Sequence, residues 1–201
     1  MIRFLSNFFY NIFLICFITS IFGFSHSETK SKNKVLAGVD ALHESLIKIS
    51  NKTITSDNLA VIDDVVKNSY DLEKMGKMII GVNWKRMEIS MQKEFINVFK
   101  RFISVNYFRR FNKINELHFE HQTVTNIKDK FKLAKVILTA DNEKFNIDYL
   151  LGFKNEKWKI FDVLIDGSIS EVATKKSDFK KIIKEEGVSG LVKNLRIRNQ
   201  F

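Results

Sequence analysis

Residues Lys157–Ser170 read KWKIFDVLIDGSIS, a run rich in β-branched and aromatic residues that ends in a Gly-Ser turn. That composition predicts a strand. A half-buried strand alternates between one apolar and one polar face, yet here Trp158, Ile160 and Leu164 fall on one side while Phe161, Val163 and Ile165 fall on the other. Either protein covers the strand on both sides, or one side looks onto an apolar ligand. Asp162 sits in the middle of it, and a carboxylate there is costly unless it is hydrogen-bonded or paired. Two roles fit: a structural carboxylate accepting backbone N–H groups or pairing with Lys or Arg, and a general base working inside an apolar pocket.

N-terminal to this strand the apolar period is 2. FKLAKVILTA (131–140) sets Ala134, Val136 and Leu138 against Lys132, Lys135 and Thr139, and EKFNIDYLLGF (143–153) sets Phe145, Ile147, Tyr149 and Leu151 against Lys144, Asn146 and Asp148. With a further strand over Leu117–Val124 the count is four. The short links DNE and KNEK make neighbours antiparallel. Earlier still the period becomes 3.6: Leu36, Val39, Leu42, Leu46 and Ile49 form one stripe, and Leu59, Ile62, Val65 and Val66 follow a cap at Ser56. Leu72, Met75 and Ile79 precede Gly81. The longest amphipathic run, Gln92–Tyr107, carries Phe95, Phe99, Phe102 and either Val105 or Ile103 along one side. After Gly167, Ser168 and Glu171 have capping-box spacing ahead of a helix that stops at Gly187, and VSGLVKNL makes a last short helix. The expected fold is α+β: N-terminal helices, a curved four-stranded antiparallel sheet and C-terminal helices.

Residues 1–27 differ from the rest. Arg3 precedes an apolar run from Phe4 to Phe24, and Ser25 and Ser27 supply small residues. This is the pattern of a secretory signal peptide cut after Ser27, leaving 28–201 as one domain with Glu28 at its start. The other reading is an uncleaved anchor, since the run approaches spanning length. Cleavage removes Arg3 and the single cysteine, Cys16, so the remaining chain has 32 Lys and Arg against 23 Asp and Glu, a net charge of +9, and no thiol. Such a chain holds together by packing alone in an extracytoplasmic space. No nucleic-acid motif accompanies the positive charge, which points instead to anionic headgroups or acidic protein surfaces. Lys175, Lys176, Lys180, Lys181 and Lys184 gather along the penultimate helix, and Arg109, Arg110 and Lys113 follow Tyr107. Each group is either a solvated face or a docking surface. His43, His118 and His121 show no ligand spacing in sequence, and no metal site or cofactor is expected.

Several anchors taken in order resemble the MlaC-type periplasmic phospholipid-binding proteins, the toluene-tolerance family of Gram-negative bacteria. They are MIIGVNW (78–84), then Gln92, Phe95, Phe99 and Tyr107, then IDYLL (147–151), WKIFDVLIDGSIS (158–170) and EEGVSGLVKNL (185–195). The departure is in the turn, where Gly167-Ser168-Ile169-Ser170 stands in place of Gly-x-Ser and leaves Ser168 and Ser170 as rival caps. The resemblance implies a non-enzymatic monomeric carrier that binds phospholipid and shuttles it between an outer-membrane lipoprotein complex and an inner-membrane ABC-transporter-associated complex, maintaining outer-membrane lipid asymmetry. Acyl chains need an apolar cavity with few polar groups. For its walls the expectation is Phe95, Phe99, Phe102 and Tyr107 from the long helix; Val136 and Leu138 from one strand; Phe145, Ile147, Tyr149 and Leu151 from the next; and Val163 from the last. Periodicity alone leaves an ordinary filled core open as the other reading. Docking falls to Lys176, Lys180 and Lys184, and the alternative function is a pocket enzyme with Asp162 as acid or base.

Overall fold

The stripe Leu36, Val39, Leu42, Leu46 and Ile49 does form one buried helix face, on a helix α1 covering 34–49. The computed structural model describes residues 34–200, so the expected signal peptide lies outside the described residues. Leu36–Phe201 forms one compact unit. α2 (Ser56–Ser69) is capped by Thr55, whose hydroxyl accepts from Asn58 N, and not by Ser56, which is the first helical residue. Asp71 caps α3 (Leu72–Ile80) by accepting from Lys74 N. The long helix α4 covers Ile89–Phe111.

Between α3 and α4 the MIIGVNW segment works as a clasp. Gly81 takes φ +64°, a conformation open to glycine, and releases the chain into a 3-10 turn, Gly81–Arg86. Trp84 folds back edge-on to Phe95, with ring centres 6.1 Å apart. It covers Gly76 so closely that a Cβ there would stand 2.7 Å from the indole. Gln92 donates to the carbonyls of Trp84 and Met87 at 3.1 and 3.3 Å, closing the turn.

The sheet has five antiparallel strands in sequence order: β1 (Leu117–Ile127), β2 (Phe131–Ala140), β3 (Glu143–Lys154), β4 (Lys157–Ile165) and β5 (Ile169–Ser170). The four-strand expectation is corrected by β5, which pairs Ile169 with Ile165 and Ser170 with Leu164. Two residues are too few for alternation to register in sequence. Asn155 and Glu156, both with positive φ, make the tight turn of the β3–β4 hairpin. β1 also runs three residues past the expected Val124, to Ile127.

β4 carries the second correction. Leu150 faces Asp162, but Leu151 faces Ile160, so Phe161 is an extra residue opposite no partner. This bulge breaks the alternation and puts Ile160 on the same face as Val163 and Ile165. Phe161 instead lies against Phe131, with Lys74 3.3 Å above its ring centre. Asp71 N donates to Ile160 O at 2.8 Å, tying the α2–α3 joint to the bulge. α5 (Glu171–Arg198) bends where expected, at Gly187 with φ +70° and ψ −172°. Its cap is Ser170, not Ser168: Ser170 Oγ accepts from Ala173 N at 2.9 Å.

Candidate functional site

A cavity of about 390 Å³ opens between the inner face of the sheet, α4 and the start of α5. That volume suits a small-molecule site, for which about 300–1,000 Å³ is usual. Its walls are mainly aromatic and aliphatic. Phe99, Phe102 and Tyr107 enter from α4, Leu138 from β2, Phe145, Ile147 and Tyr149 from β3, and Val163 from β4. Register explains the sheet's contribution: Leu138 pairs with Phe145, Ile147 with Ile165 and Tyr149 with Val163, so all of these share one face.

Three of the expected wall residues do not border the cavity. Phe95, Val136 and Leu151 are almost wholly buried, and they pack the core beside it. Along α4 the phenyl stripe runs from packed protein to open space: Phe95 stacks on Phe99 at 5.4 Å, Phe99 on Phe102 at 6.4 Å, and Phe102 meets Phe179 edge-on at 5.9 Å. Of the two residues left open, Val105 is core, whereas Ile103 lines the cavity. Sequence reasoning passed over Phe119, Phe111 and Ile114. Phe119 alternates in its strand like any half-buried residue, and nothing local distinguishes it.

The polar groups of the cavity are few and placed at two levels. At the solvent edge Arg110 pairs with Glu171 at 3.2 Å and Lys175 approaches the same carboxylate at 3.8 Å. Lys175 also lies 3.5 Å from Asp178, so the two cations at the opening are each held by a carboxylate. Deeper inside, Tyr70 and Tyr107 hydroxyls hydrogen-bond to each other. Burial raises the Tyr107 phenol to about 12 and holds Tyr70 and Tyr149 well above the usual range, so all three stay neutral donors near pH 7. A pair of hydroxyls sharing one hydrogen bond keeps one proton free for a guest's carbonyl or ester oxygen.

Asp162 is buried but turned away from the cavity. Oδ1 accepts from Val163 N at 2.8 Å and Val172 N at 3.1 Å, and Oδ2 accepts from Ser170 Oγ at 2.6 Å. Its charge is met by the N-terminus of α5 and not by a Lys or Arg. A carboxylate so engaged, outside the cavity wall, is not placed to take a proton from anything held there.

The three histidines are either solvated or hydrogen-bonded. His118 points to the outer face, but His121 finds Asp40 of α1 at 2.6 Å, and His43 bonds Tyr149 Oη at 3.0 Å while stacking on Phe119 at 3.9 Å. Burial, followed by the neighbouring His121, lowers the His43 pKa from 6.5 to about 3. The unfolded chain therefore binds a proton near pH 5 that the native state refuses, and stability is full above pH 6.5 and lost as pH falls towards 3. The arithmetic of linkage gives about 2 kcal/mol lost between pH 8 and pH 5 from this group. Urea midpoints measured across that range should fall for the native sequence and fall distinctly less for His43→Gln. Parallel slopes in the two proteins would remove His43 as the cause.

The family profile described as MlaC protein matches residues 40–197. The chain belongs to the MlaC family. Among solved structures, it is similar to the phospholipid-binding protein from Ralstonia solanacearum, determined in complex with a phospholipid. The two share 21% identity at a TM-score of 0.68, over 83% of this chain and 97% of that one. At that identity the likeness establishes the fold. No curated protein matches the sequence. No helix among the described residues is long and apolar enough to cross a membrane.

Proposed function

We propose that this MlaC-family chain is a periplasmic phospholipid carrier, secreted by residues 1–27 and working as a monomer without enzymatic turnover. It receives lipid from one membrane complex and hands it to another, between an outer-membrane lipoprotein complex and an inner-membrane ABC-transporter-associated complex, and so maintains outer-membrane lipid asymmetry. The observation that carries this reading is the form of the cavity: apolar walls, two cations, Arg110 and Lys175, at its opening, and three neutral phenols within. Acyl chains gain by leaving water for such walls, while a phosphate at the opening meets Arg110 and Lys175. The phospholipid bound to the Ralstonia protein of the same fold supports the assignment. Nothing in the site favours the enzyme reading, because the one acid proposed for it, Asp162, is engaged by Ser170 and Val172 at the start of α5.

Native mass spectrometry of freshly purified chain from Glu28 onward tests the reading: copurified diacyl phospholipid is expected, and an empty cavity in protein never exposed to detergent would defeat it. Delivery is a separate step. Lys176, Lys180 and Lys184 are exposed and spaced four residues apart on α5, one helical face, whereas Lys175 turns to the cavity edge. Exposed cations speed encounter more than they strengthen holding. Replacing the three by Gln should slow lipid transfer to anionic acceptor vesicles several-fold at low salt, with bound lipid unchanged. Equal rates would assign this face to solvation alone.

A further inference from the structure

Behind the cavity wall, three side chains that lipid binding leaves unused converge. Asp40 and His43 lie three residues apart on α1 and share a helix face. His121 reaches them from β1, just before the register of β1 against β2 slips between His121 and Val124. Such irregularities re-aim a side chain. One oxygen of Asp40 and one nitrogen from each imidazole lie within 4.8 Å of one another. We propose that Asp40, His43 and His121 form a binding site for a divalent transition-metal ion of the zinc class.

The donor set selects the class of ion. Two imidazoles and a carboxylate suit zinc and its neighbours, whereas magnesium and calcium favour all-oxygen shells. The second layer of contacts has the form such sites use, in which the nitrogen not facing the metal is held by a hydrogen bond. Tyr149 Oη engages His43 Nε2 at 3.0 Å, which would leave Nδ1 to bind the ion, and Phe119 fixes the ring plane by stacking. His121 has spare bonding capacity: one nitrogen bonds Asp40, and Nδ1 is buried with no hydrogen-bond partner.

The geometry requires only a small adjustment. Bonds of about 2.0 Å in a tetrahedral arrangement set ligand atoms about 3.3 Å apart, so Asp40 and His121 must open from 2.6 Å while the widest separation, at most 4.8 Å, closes. The side chains of Asp40 and His121 are 43% and 31% exposed, which gives them room to move and gives an ion an approach from solvent. His43 is the fixed member. Through Tyr149, which lines the cavity, the ion would stand one hydrogen-bonded residue behind the cargo.

The test uses the untagged chain from Glu28 onward, stripped with chelator and dialysed, and titrated at pH 7.5 with zinc ion alone against a chromophoric competitor. One ion per chain is expected, with affinity reduced at least tenfold in Asp40→Asn and in His121→Ala and unchanged in His118→Ala, whose imidazole is on the opposite sheet face. The thermal midpoint should rise with zinc in the native sequence and stay put in His121→Ala. No saturable binding, or binding that survives both Asp40→Asn and His121→Ala, overturns the site. Circular dichroism confirms folding of each variant, and the two substitutions, both at partly exposed positions, guard each other should one fail to fold. Lipid content is not the readout, so failure here leaves the carrier reading standing.

Discussion

Replacing Ile147 with Trp should empty the protein of phospholipid and leave it folded. Ile147 lies mid-strand on β3, paired with Val136 and Ile165, and its side chain borders the cavity while staying only half-buried. An indole in that position has the cavity to extend into, so the new volume falls on space meant for a guest and not on packed neighbours. In a filled core the same substitution would impose strain of about 1–3 kcal/mol. The expected pattern is therefore a denaturation midpoint, measured on delipidated protein, close to that of the native sequence, and lipid phosphorus per mole of folded protein reduced at least tenfold. The matching change at Val136, a neighbour on the same face that is 1% exposed and outside the cavity, should do the reverse: Val136→Trp destabilises the fold. A badly destabilised Ile147→Trp whose folded fraction still holds lipid would place Ile147 in solid core and remove it from the site.

That contrast between Ile147 and Val136 also marks where sequence reading stops. Both are β-branched residues on the inner face of adjacent strands, and alternation identifies the face for each. It cannot say which of them meets protein and which meets open space, because that depends on how far α4 stands from the sheet. The same limit divides Phe95 from Phe102 on one helical stripe. Helices and strands themselves were legible because their periods, 3.6 and 2, are written in every turn and every pair of residues.

The features missed are those that break a period or span the chain. The bulge at Phe161 adds one residue to β4, and an apolar strand with an extra apolar residue still reads as apolar on both sides. The apparent double apolar face of residues 157–170 is partly this slip: Ile160 and Val163 belong to the same face. β5 is a single pair of residues, too short for a period to repeat. The meeting of His121 with Asp40 and His43 joins residues about eighty positions apart, and only the packing of α1 against β1 brings them together. Asp162, by contrast, announced itself, since an acid in an apolar strand has to be explained locally, and its partners are eight and ten residues downstream.

Asp162→Ala is expected to cost about 3 kcal/mol or more of stability. Asp162 is 4% exposed and accepts from Val163 N, Val172 N and Ser170 Oγ. Removing the carboxylate leaves the Val172 N–H and the Ser170 hydroxyl proton without their acceptor at the buried start of α5. Each buried donor so orphaned costs about 1–3 kcal/mol. Ser170 is itself the cap of that helix, so its own truncation in Ser170→Ala should cost about 1 kcal/mol. Asp162→Asn keeps one acceptor oxygen and should fall between the two. The consequence reaches the cavity, because Glu171, Val172 and Lys175, which line it, are placed by this helix start. Urea unfolding of the three variants, each delipidated, should rank Asp162→Ala below Asp162→Asn and Asp162→Asn below Ser170→Ala. An Asp162→Ala protein within about 0.5 kcal/mol of the native sequence would show that the carboxylate does not hold the start of α5, and would reopen a chemical role for it.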